Sequence, residues 1–424
     1  MPLALRTFVE SLGIAISLLI ALATNADAQV SVVAQNVDGT SVSGRLEQLT
    51  AQQVFVRVDG NVEPLNADRV LRLTTLRASD GEAVRDHALE HDPSSSVSAT
   101  PWLLTSTGDW LRVQPLMIDE ESVAARWSRI PDQPPLTVPL EVCRGAVLKL
   151  AGDPYRQGIE FLSLFDDKQT TDRIVLQNGD RIAGEFAGLE NGKLQLETAL
   201  GTTSEAIEQV RLIAFNPELI STPDLPETHV RVVFRDGSLL RLKSVLSNGG
   251  VLLGETLADA AVLLPLEHVA EIWFFDADRV PVSSLPVADT KVTPYLSVKR
   301  SPQFDRNVLG GPLRVRGSSV ASGIGTSSGS EISFSLDTRF STLLGRVALE
   351  DAAAPAGSVQ FEVIGDGNTL WRSETVTVES GSVELPRLDV SGVTSLVLKV
   401  DVADRGSVRD IANWCDLVVL KSSQ

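Results

Sequence analysis

Residues 358–371 read SVQFEVIGDGNTLW, and this stretch decides the fold. Val359, Phe361 and Val363 alternate with other residues up to the turn Gly365-Asp366-Gly367. Alternation with a period of two places every second side chain on one face of a β-strand. Asp-Gly between two such runs is a strong signal of a β-hairpin. We therefore predict a hairpin with one strand on each side of this turn.

The same pattern extends over residues 295–420. One alternating run follows Gly323-Ile324-Gly325, another ends in Glu350-Asp351, and the last contains Trp414 before Leu417-Val418-Val419-Leu420. Each strand should bury one face and expose the other, and Trp414 should lie between two sheets. These residues predict one all-β domain with turns at regular intervals.

The order of these landmarks resembles the NPCBM family, a carbohydrate-binding module that is also found attached to glycoside hydrolase family 98. The resemblance covers residues 293–421. Its landmarks are an opening Tyr295-Leu296-Ser297, the Gly-x-Gly loop at Gly323, the strand end from Gly345 to Asp351, the Gly-Asp-Gly hairpin and the Asp-x-x-x-Trp ending at Asp410. It implies a galactose-binding-like β-sandwich that binds a glycan or a cell-envelope component.

Two positions depart from the family pattern. Family members usually carry a His just after the Gly-x-Gly loop, where this chain has Thr326 and Ser327. They usually carry another His after the late Asp, where this chain has Ile411. These replacements favour a second interpretation, in which a structural or protein-interaction module has kept the sandwich fold and lost the sugar site.

A ligand site in such a sandwich is expected at a loop end, because strands form the scaffold and loops carry recognition. The candidate loops are residues 322–328 and 405–413. A sugar site combines an aromatic ring with a few oriented polar groups. The candidate ligand-binding residues are therefore Trp371 as the ring, and Arg409, Asp410 and Asn413 as the polar groups.

The resemblance also implies a structural calcium ion in the C-terminal domain, because galactose-binding-like sandwiches often hold one. The acids Asp351, Asp366 and Asp410 lie in loops and could bind it. Stabilisation of a turn is the alternative role for Asp366.

Residues 30–276 contain four similar segments. Each begins with a strand and a tight turn that contains a glycine (Asp38-Gly39, Gly108-Asp109, Asn178-Gly179 and Asp236-Gly237). Each ends in a short apolar element, such as Leu264-Pro265-Leu266-Glu267. This order predicts a small five-stranded barrel, generically similar to Sm-like or SH3-like barrels. Unrelated hairpins in one larger sheet are the alternative.

The predicted organisation follows from these patterns and from polar or proline-containing linkers between them. It comprises a signal peptide (1–28), unit 1 (29–76), a linker (77–98), unit 2 (99–151), unit 3 (170–216), unit 4 (228–276) and the NPCBM-like sandwich (293–424). A unit of this size buries only a marginal core, so neighbouring units should pack together. Residues 290–424 should fold alone. Cys143 and Cys415 fall in different units, and two separate buried thiols are as consistent with their surroundings as a disulfide.

The N-terminus has the pattern of an export signal. Arg6 gives a positive start, residues 12–23 are apolar or small, and Ala26-Asp27-Ala28 fits the cleavage rule. The mature chain should start at Gln29, reach the periplasm, the cell surface or the medium, and have no membrane span after cleavage. A retained N-terminal anchor is the alternative.

The charge of the chain excludes one class of partner. The formal net charge is -18, from 37 basic and 55 acidic residues. Residues 293–424 hold 13 basic and 15 acidic residues, which leaves 37 - 13 = 24 basic and 55 - 15 = 40 acidic residues elsewhere, a balance of -16. Such a field repels phosphate backbones and anionic membranes. A nucleic-acid partner is not expected, whereas protein partners could bind through the barrel units.

The sequence contains no His-Glu-x-x-His pattern and no P-loop. His87 and His91 have the spacing of two metal ligands on one helix face. They lie in a predicted linker without further ligands, so a solvated pair is the simpler interpretation. We therefore predict a protein that is not an enzyme and has no catalytic residues.

Overall fold

The computed structural model describes residues 30–76, 100–130, 133–150, 152–166, 168–248, 250–293 and 299–421. Almost every regular element in these residues is a β-strand, which confirms the predicted all-β class. The predicted signal peptide (1–28), the linker (77–98) and the pair His87 and His91 lie outside the described residues. Within the described part of the chain, no helix is long and apolar enough to cross a membrane.

Four small units occupy residues 30–276 and share one order of strands. Unit 1 has β1 (Ser31–Asn36), β2 (Ser41–Leu49), β3 (Gln53–Val58), β4 (Asn61–Asn66) and β5 (Val70–Thr75). Unit 2 has β6 (Trp102–Thr105), β7 (Trp110–Leu111), β8 (Val113–Ile118), β9 (Ser122–Trp127), β10 (Leu136–Pro139) and β11 (Cys143–Val147). Unit 3 has β12 (Asp172–Leu176), β13 (Arg181–Glu190), β14 (Lys193–Thr198), β15 (Gly201–Ala206) and β16 (Val210–Ala214), and unit 4 has β17 (His229–Phe234), β18 (Leu239–Asn248), β19 (Val251–Thr256), β20 (Ala261–Pro265) and β21 (Val269–Phe275).

The pairing within a unit follows one pattern. In unit 4, β17 pairs with both β18 and β21, while β18, β19 and β20 form an antiparallel meander. Units 1 and 3 repeat this pattern. Unit 2 differs only because its second strand is divided into β7 and β8. The shared pairing confirms the prediction of repeated small barrels.

A glycine marks the first turn of each unit for a conformational reason. Gly39, Gly108, Gly179 and Gly237 have φ angles of 90°, 84°, 94° and 90°. Side chains disfavour this left-handed region of the backbone, which glycine adopts freely. The backbone conformation of each first turn therefore favours glycine, and these four glycines are the signal that reveals the repeat in the sequence.

The units associate mainly through their closing strands. β5 of unit 1 pairs with β21 of unit 4, where Leu73 faces Ile272. β11 of unit 2 pairs with β16 of unit 3, where Ala146 faces Ile213. A single pair between β7 and β18 joins unit 2 to unit 4. All 21 strands are connected by hydrogen-bonded pairs, and the spatial order of the units differs from their order in the chain.

One α-helix, α1 (Pro154–Leu162), lies between units 2 and 3, where the sequence analysis placed no element. The Asp153 side chain caps it by accepting a backbone hydrogen bond, and Pro154 occupies the first turn. Both residue types are favoured at these positions. Short 3-10 turns occur at Leu140–Val142, Ser163–Phe165, Ile207–Gln209, Pro217–Leu219, Leu266–His268, Val282–Ser284 and Asp351–Ala353.

The C-terminal part is a sandwich of two antiparallel sheets. One sheet contains β22 (Arg279–Pro281), β24 (Gln303–Phe304), β27 (Gly323–Ser327), β29 (Thr342–Leu349), β33 (Val383–Glu384), β34 (Leu388–Asp389) and β36 (Ile411–Leu420). The other contains β23 (Val287–Val292), β28 (Ser330–Ser335), β30 (Ser358–Gly365), β31 (Asn368–Arg372), β32 (Val376–Thr377) and β35 (Ser395–Val402). A separate hairpin is formed by β25 (Arg314–Val315) and β26 (Ser318–Ser319). The hairpin predicted at Gly365-Asp366-Gly367 is β30–β31.

The predicted start of the sandwich at residue 293 is too late. β22 pairs with β36, where Val280 faces Val419, and β23 pairs with β28, where Thr290 faces Ile332. The prolines in this segment led the sequence analysis to a linker. Pro281 instead lies in β22, which pairs with the single strand β36, and Pro286 directly precedes β23. Prolines are tolerated at sheet edges.

Trp414 lies between the two sheets, as predicted. Its side chain is 0 % exposed. Its ring lies edge-on to Phe361 of the opposite sheet, with the ring centroids 4.9 Å apart. Aromatic pairs favour this edge-to-face arrangement.

β36 is buried on both faces, and a bulge divides it. Asp416 has a φ of 50°, and the register between β36 and β29 shifts beside it. After the bulge, Leu417 and Val419 face the sandwich core, while Val418 and Leu420 face the barrel units. The continuous apolar run at the end of the chain therefore serves two separate cores.

The barrel units and the sandwich share a buried interface. Val418 and Leu420 belong to one apolar cluster with Trp102, Trp110 and Trp273 of the units. A fragment of residues 290–424 would lack β22 and expose this cluster. The structure therefore gives a physical reason to treat the whole chain as the folding unit, in place of the predicted independent fragment.

A buried ion pair crosses the same interface. Arg231 of unit 4 is 2 % exposed, and its Nη1 lies 3.0 Å from Oδ1 of Asp305 in the sandwich. Arg241 Nη2 lies 2.7 Å from Oδ2 of the same carboxylate. One sandwich carboxylate therefore holds two arginines of unit 4.

Cys143 and Cys415 are both free and buried, one in unit 2 and one in β36. Burial raises the pKa of each thiol above its ordinary value. Each cysteine therefore packs as a small apolar side chain.

Replacement of Trp414 by Ala should destabilise the protein by about 3–5 kcal/mol, because it leaves a large cavity between the sheets. The measurement is chemical denaturation of the full chain followed by circular dichroism. Trp371→Ala is the matched control, because Trp371 is only half-buried, and it should cost clearly less. A loss below about 1 kcal/mol for Trp414→Ala would contradict the core position.

Candidate functional site

The two candidate loops form one end of the sandwich. β27 and β36 are neighbours, so that Ser327 faces Ile411 and Gly325 faces Asn413. Residues 322–328 and 405–413 therefore lie side by side, and we call this region the loop end. The two positions at which the family carries His lie directly opposite each other here. Thr326 is 0 % exposed and Ile411 is 4 % exposed, so neither presents its side chain to solvent.

Two of the predicted ligand-binding residues have structural roles. Asp410 is 3 % exposed, and its Oδ1 accepts a hydrogen bond from the backbone N of Ser358 at 3.0 Å. Burial raises the pKa of its carboxyl group. Asn413 is 0 % exposed, and its Nδ2 donates to Oε2 of Glu350 at 2.6 Å. Both side chains are enclosed by protein in this conformation, and a contact of Asp410 or Asn413 with a ligand stays a prediction.

Glu350 organises the inside of the loop end. Its Oε2 also accepts a hydrogen bond from the backbone N of Arg314 at 2.9 Å, which ties the β25–β26 hairpin to the sandwich. The side chain is 2 % exposed. Burial, and then the neighbouring Asp351 carboxylate, raise the pKa of Glu350 to about 8.

Trp371 lies away from the other predicted residues. It faces Val363 on β30, whereas Asp410 binds Ser358 at the beginning of that strand. Five residues of strand separate these points by about 17 Å. The ring packs half-buried on the sandwich core. The four predicted residues therefore do not form one site.

Arg409 is the predicted residue that stays at the surface of the loop end. It is half-buried, and its Nη1 donates to the carbonyl oxygen of Ala354 at 2.6 Å. Its φ of 57° is unusual for a residue with a side chain. Such conformations concentrate at binding sites, where the surroundings enforce them.

Helix α1 adds an aromatic ring to the loop end. The Cζ of Arg409 lies 5.4 Å from the ring centroid of Tyr155. Arg300 Nη2 donates a hydrogen bond to the hydroxyl of Tyr155 at 2.8 Å. Tyr155 is half-buried and packs against the sandwich core. These three residues form a small surface group that we call the tyrosine site.

Close contacts fix α1 against the sandwich. A Cβ at Gly158 would lie 2.5 Å from Cβ of Leu309, and a Cβ at Gly310 would lie 2.8 Å from Cα of Leu162. Both distances are far below ordinary contact distances, so both glycines are needed for this approach. Phe161 then inserts its ring edge-on against Trp110, with centroids 5.2 Å apart. The helix therefore connects the units to the loop end.

The sequence analysis missed Tyr155 and Arg300. Asp153-Pro154 is a start signal for a helix and could have revealed α1. Its position against the sandwich could not be inferred, because the contact joins residues about 150 positions apart, as in the hydrogen bond between Arg300 and Tyr155.

The acids expected to bind calcium lie in separate hydrogen-bonded turns. Asp351 Oδ2 accepts from the backbone N of Gly317 at 2.9 Å, and Asp366 Oδ1 accepts from that of Ser395 at 2.8 Å. Asp410 is bound to Ser358, as described above. Among the residues that the structure describes, no group of three or more His, Cys, Asp or Glu side chains could hold a metal ion.

Residues 279–420 match the NPCBM/NEW2 domain family. The match confirms the resemblance noted in the sequence, and it begins at the first residue of β22. It covers the sandwich and leaves the barrel units unassigned. A comparison with curated proteins found no match.

Two of the solved structures that are similar to the chain are carbohydrate-binding modules by their descriptions. CBM51-2 in complex with GlcNAc, with INT domains, from Clostridium perfringens ZmpB is 22% identical over 44% of this chain and 42% of that chain, with a TM-score of 0.31. CBM51 from Clostridium perfringens GH95, in complex with methyl-galactose, is 21% identical over 33% of this chain and 99% of that chain, with a TM-score of 0.30. The chain thus spans less than half of the first of these. The assignment of the sandwich therefore rests on the strand pairing of this chain and on the family match.

The buried Glu350 should make stability depend on pH. Its pKa is raised from 4.5 to about 8 in the folded protein, so the protonated form is favoured by folding. Its contribution is complete below pH 4.5 and is lost as the pH rises towards 8, at no more than about 1.4 kcal/mol per pH unit. Glu350→Gln should therefore flatten the dependence between pH 5 and 8, as measured by urea denaturation at several pH values.

The exposed Glu374→Gln provides a matched control and should leave the pH dependence of the wild type unchanged. If the free energy of unfolding of Glu350→Gln depends on pH as that of the wild type does, folding does not disfavour the ionised form of Glu350, and the prediction is contradicted.

Proposed function

We propose that this chain, whose residues 279–420 match the NPCBM/NEW2 domain, is an exported, non-catalytic protein that binds a glycan or a cell-envelope component through its sandwich. The observation that supports this most is the tyrosine site at the loop end of a sandwich of a carbohydrate-binding family. Residues Tyr155, Arg300 and Arg409 form it.

The tyrosine site has the chemistry that sugar recognition needs. An apolar sugar face stacks on an aromatic ring, and oriented polar groups then select the hydroxyls. Each guanidinium supplies several N–H donors in a fixed plane. Arg409 is held by Ala354 and Arg300 is held by the Tyr155 hydroxyl, so both donors are oriented before a ligand arrives. Such preorganisation lowers the entropic cost of binding.

The buried acids at the loop end support a binding role over catalysis. Glycoside hydrolysis uses two carboxyl groups that face a sugar from opposite sides. At the loop end, Glu350 and Asp410 are 2 % and 3 % exposed and hydrogen-bonded within the protein. Neither can reach a sugar in this conformation.

Export is supported by the N-terminal sequence alone. Arg6, the apolar residues 12–23 and Ala26-Asp27-Ala28 fit a cleaved signal. N-terminal sequencing of the mature protein should give Gln29 as the first residue. An uncleaved Met1 in the exported fraction would instead support a retained anchor.

A structural or protein-interaction role is the second candidate. Thr326 and Ser327 stand where the family usually carries one His, and Ile411 stands where it carries the other. Ser327 faces Ile411, which is buried. In this case the sandwich would keep its fold and bind a protein partner, for which the barrel units provide further surface.

Titration of the full chain with neutral oligosaccharides that include galactose and GlcNAc termini should discriminate between the candidates. We expect saturable binding that Tyr155→Ala and Arg409→Gln each weaken about tenfold or more. The first variant loses the ring and its contacts to both arginines, and the second loses a hydrogen bond from a charged group, which is worth about 1.5–3 kcal/mol. Arg339→Gln is the control, because its exposed side chain lies beyond the far end of β28.

Weaker binding by Trp371→Ala, with Tyr155→Ala unaffected, would instead place the ligand at the site predicted from sequence. A folded protein that binds no glycan in a broad panel would favour the protein-interaction role.

A further inference from the structure

Three arginines bring positive charge to the loop end, and we call Arg300, Arg405 and Arg409 the arginine cluster. Arg300 Nη2 donates a hydrogen bond to the phenol oxygen of the tyrosine site at 2.8 Å. Arg409 Nη1 donates to the carbonyl oxygen of Ala354 at 2.6 Å, and Arg405 Nη1 donates to that of Pro355 at 3.1 Å. All of these acceptors are uncharged. None of the ion pairs between described residues includes a member of the cluster.

The arginine cluster and the tyrosine form one continuous group. The Cζ of Arg409 lies 5.4 Å from the ring centroid of Tyr155, and Arg300 holds the hydroxyl of the same ring. Arg405 binds the carbonyl group directly after the one that Arg409 binds. Arg405 is exposed, and the other two arginines are half-buried. Each guanidinium has donors on three nitrogens, and each of these hydrogen bonds occupies one nitrogen. The cluster therefore places further donors beside one aromatic ring.

The acids inside the loop end do not neutralise this charge. Burial raises the pKa of the carboxyl groups of Glu350 and Asp410, to about 8 for Glu350. Glu350 is therefore largely uncharged at neutral pH. Oδ2 of Asp351 lies 3.8 Å from Nε of Arg314 and accepts a hydrogen bond from the turn of the β25–β26 hairpin. Its charge is thus directed to an arginine outside the cluster.

Two exposed acids in the neighbourhood of Arg405 are not close partners of it either. Asp404 precedes it in the chain, and Oδ2 of Asp404 accepts a hydrogen bond from the hydroxyl of Thr375 at 3.4 Å. The pKa of Glu379 is lowered most by a hydrogen bond from Thr377 and least by the charge of Arg405. The positive charge of the cluster is therefore offered to solvent.

This local charge differs from that of the surrounding protein. The chain carries a net charge of -18, and residues 293–424 are near neutral, with 13 basic and 15 acidic residues. A positive patch within such a field attracts anions to one place on the surface. Guanidinium groups form short, charge-assisted hydrogen bonds with carboxylates and similar oxyanions. The arginine cluster is therefore suited to an anionic ligand.

We propose that the glycan bound at the tyrosine site is acidic, with its sugar ring against Tyr155 and its carboxylate or sulfate group on the arginine cluster. This inference rests on the glycan binding proposed above and adds the chemical class of the ligand. Complementary charge at an interface determines which partner is accepted. Arg405, which lies outside the tyrosine site, is then a specificity-determining residue.

Isothermal titration of the full chain with two matched pairs of disaccharides tests this inference. Digalacturonate differs from galactobiose of the same linkage only in the carboxylates that replace hydroxymethyl groups, and sulfated chitobiose differs from chitobiose only in its sulfate. We expect at least one acidic disaccharide to bind at least tenfold more tightly than its neutral counterpart. This preference should decrease as salt is raised, because salt screens the attraction. Acetate and inorganic sulfate are the probes for an anion without a sugar.

Arg405→Gln should reduce the preference for the acidic disaccharide at least fivefold, because it removes one of the three charges. Arg405→Lys should retain most of the preference, because the charge is kept. Arg339→Gln is the matched control, since Arg339 is exposed and lies away from the loop end, and it should keep the wild-type preference. Thermal unfolding identifies variants that fail to fold. The paired titrations and the salt series on the wild type decide the inference without those variants.

The outcomes separate this inference from the function on which it rests. Saturable binding of both members of each pair with equal affinity would overturn the inference and leave glycan binding in place. Acetate or sulfate binding as tightly as the acidic disaccharides would reduce the cluster to a site for simple anions, which also overturns it. A folded protein that binds none of the disaccharides would contradict both glycan binding and the preference for acidic ligands.

Discussion

The carboxylate of Asp305 is the interaction on which the assembly of the molecule depends. It lies between Arg231 and Arg241 and also accepts a hydrogen bond from the backbone N of Gly323 at 3.0 Å. Burial alone would raise the pKa of this acid, but the two arginines outweigh it and hold the pKa at about 2. The ionised form is therefore stable although the side chain is only 19% exposed. Removal of one partner from such a pair leaves a charge without compensation, which makes this contact far more sensitive to mutation than a surface ion pair.

The apolar contacts around this ion pair follow from the same geometry. β36 lies in the sandwich, yet Val418 and Leu420 pack on tryptophans of the units. Arg241 runs past Gly108, where a Cβ would lie only 2.0 Å from its Nη1. A side chain at position 108 would therefore have to displace the guanidinium of Arg241, which in turn contacts Asp305 of the sandwich. The tyrosine site, which α1 and the sandwich form together, also depends on the assembly.

Local features of the fold could be predicted from the sequence, and contacts between distant parts could not. Alternation and glycine turns revealed the repeated units and the β30–β31 hairpin, because both signals arise within a few residues. The bulge at Asp416 could not be predicted from the sequence. Leu417-Val418-Val419-Leu420 is a continuous apolar run, and such a run does not show which of its side chains face which core. The pairing of unit 1 with unit 4 was equally hidden, because nothing in the chain order favours it.

The candidate site was predicted less well than the fold for a related reason. The loops 322–328 and 405–413 do lie together, since both are set by strand neighbours that the family pattern implies. The individual residues were harder to assign, because polarity alone does not distinguish an exposed ligand contact from a buried structural hydrogen bond. Asn413 bonds to Glu350 inside the protein, whereas Tyr155 reaches the site from a helix that precedes the sandwich by more than a hundred residues.

Comparison of Asp305→Ala with Asp278→Ala tests most directly whether the partly buried carboxylate of Asp305 joins the units to the sandwich. Asp278 forms an exposed ion pair with Lys421 at 3.1 Å, so its removal should cost less than about 1 kcal/mol. Asp305→Ala should lower the free energy of unfolding of the full chain by about 3–5 kcal/mol and separate the unfolding of the units from that of the sandwich. An Asp305→Ala variant as stable as Asp278→Ala, with one transition like that of the wild type, would contradict this account.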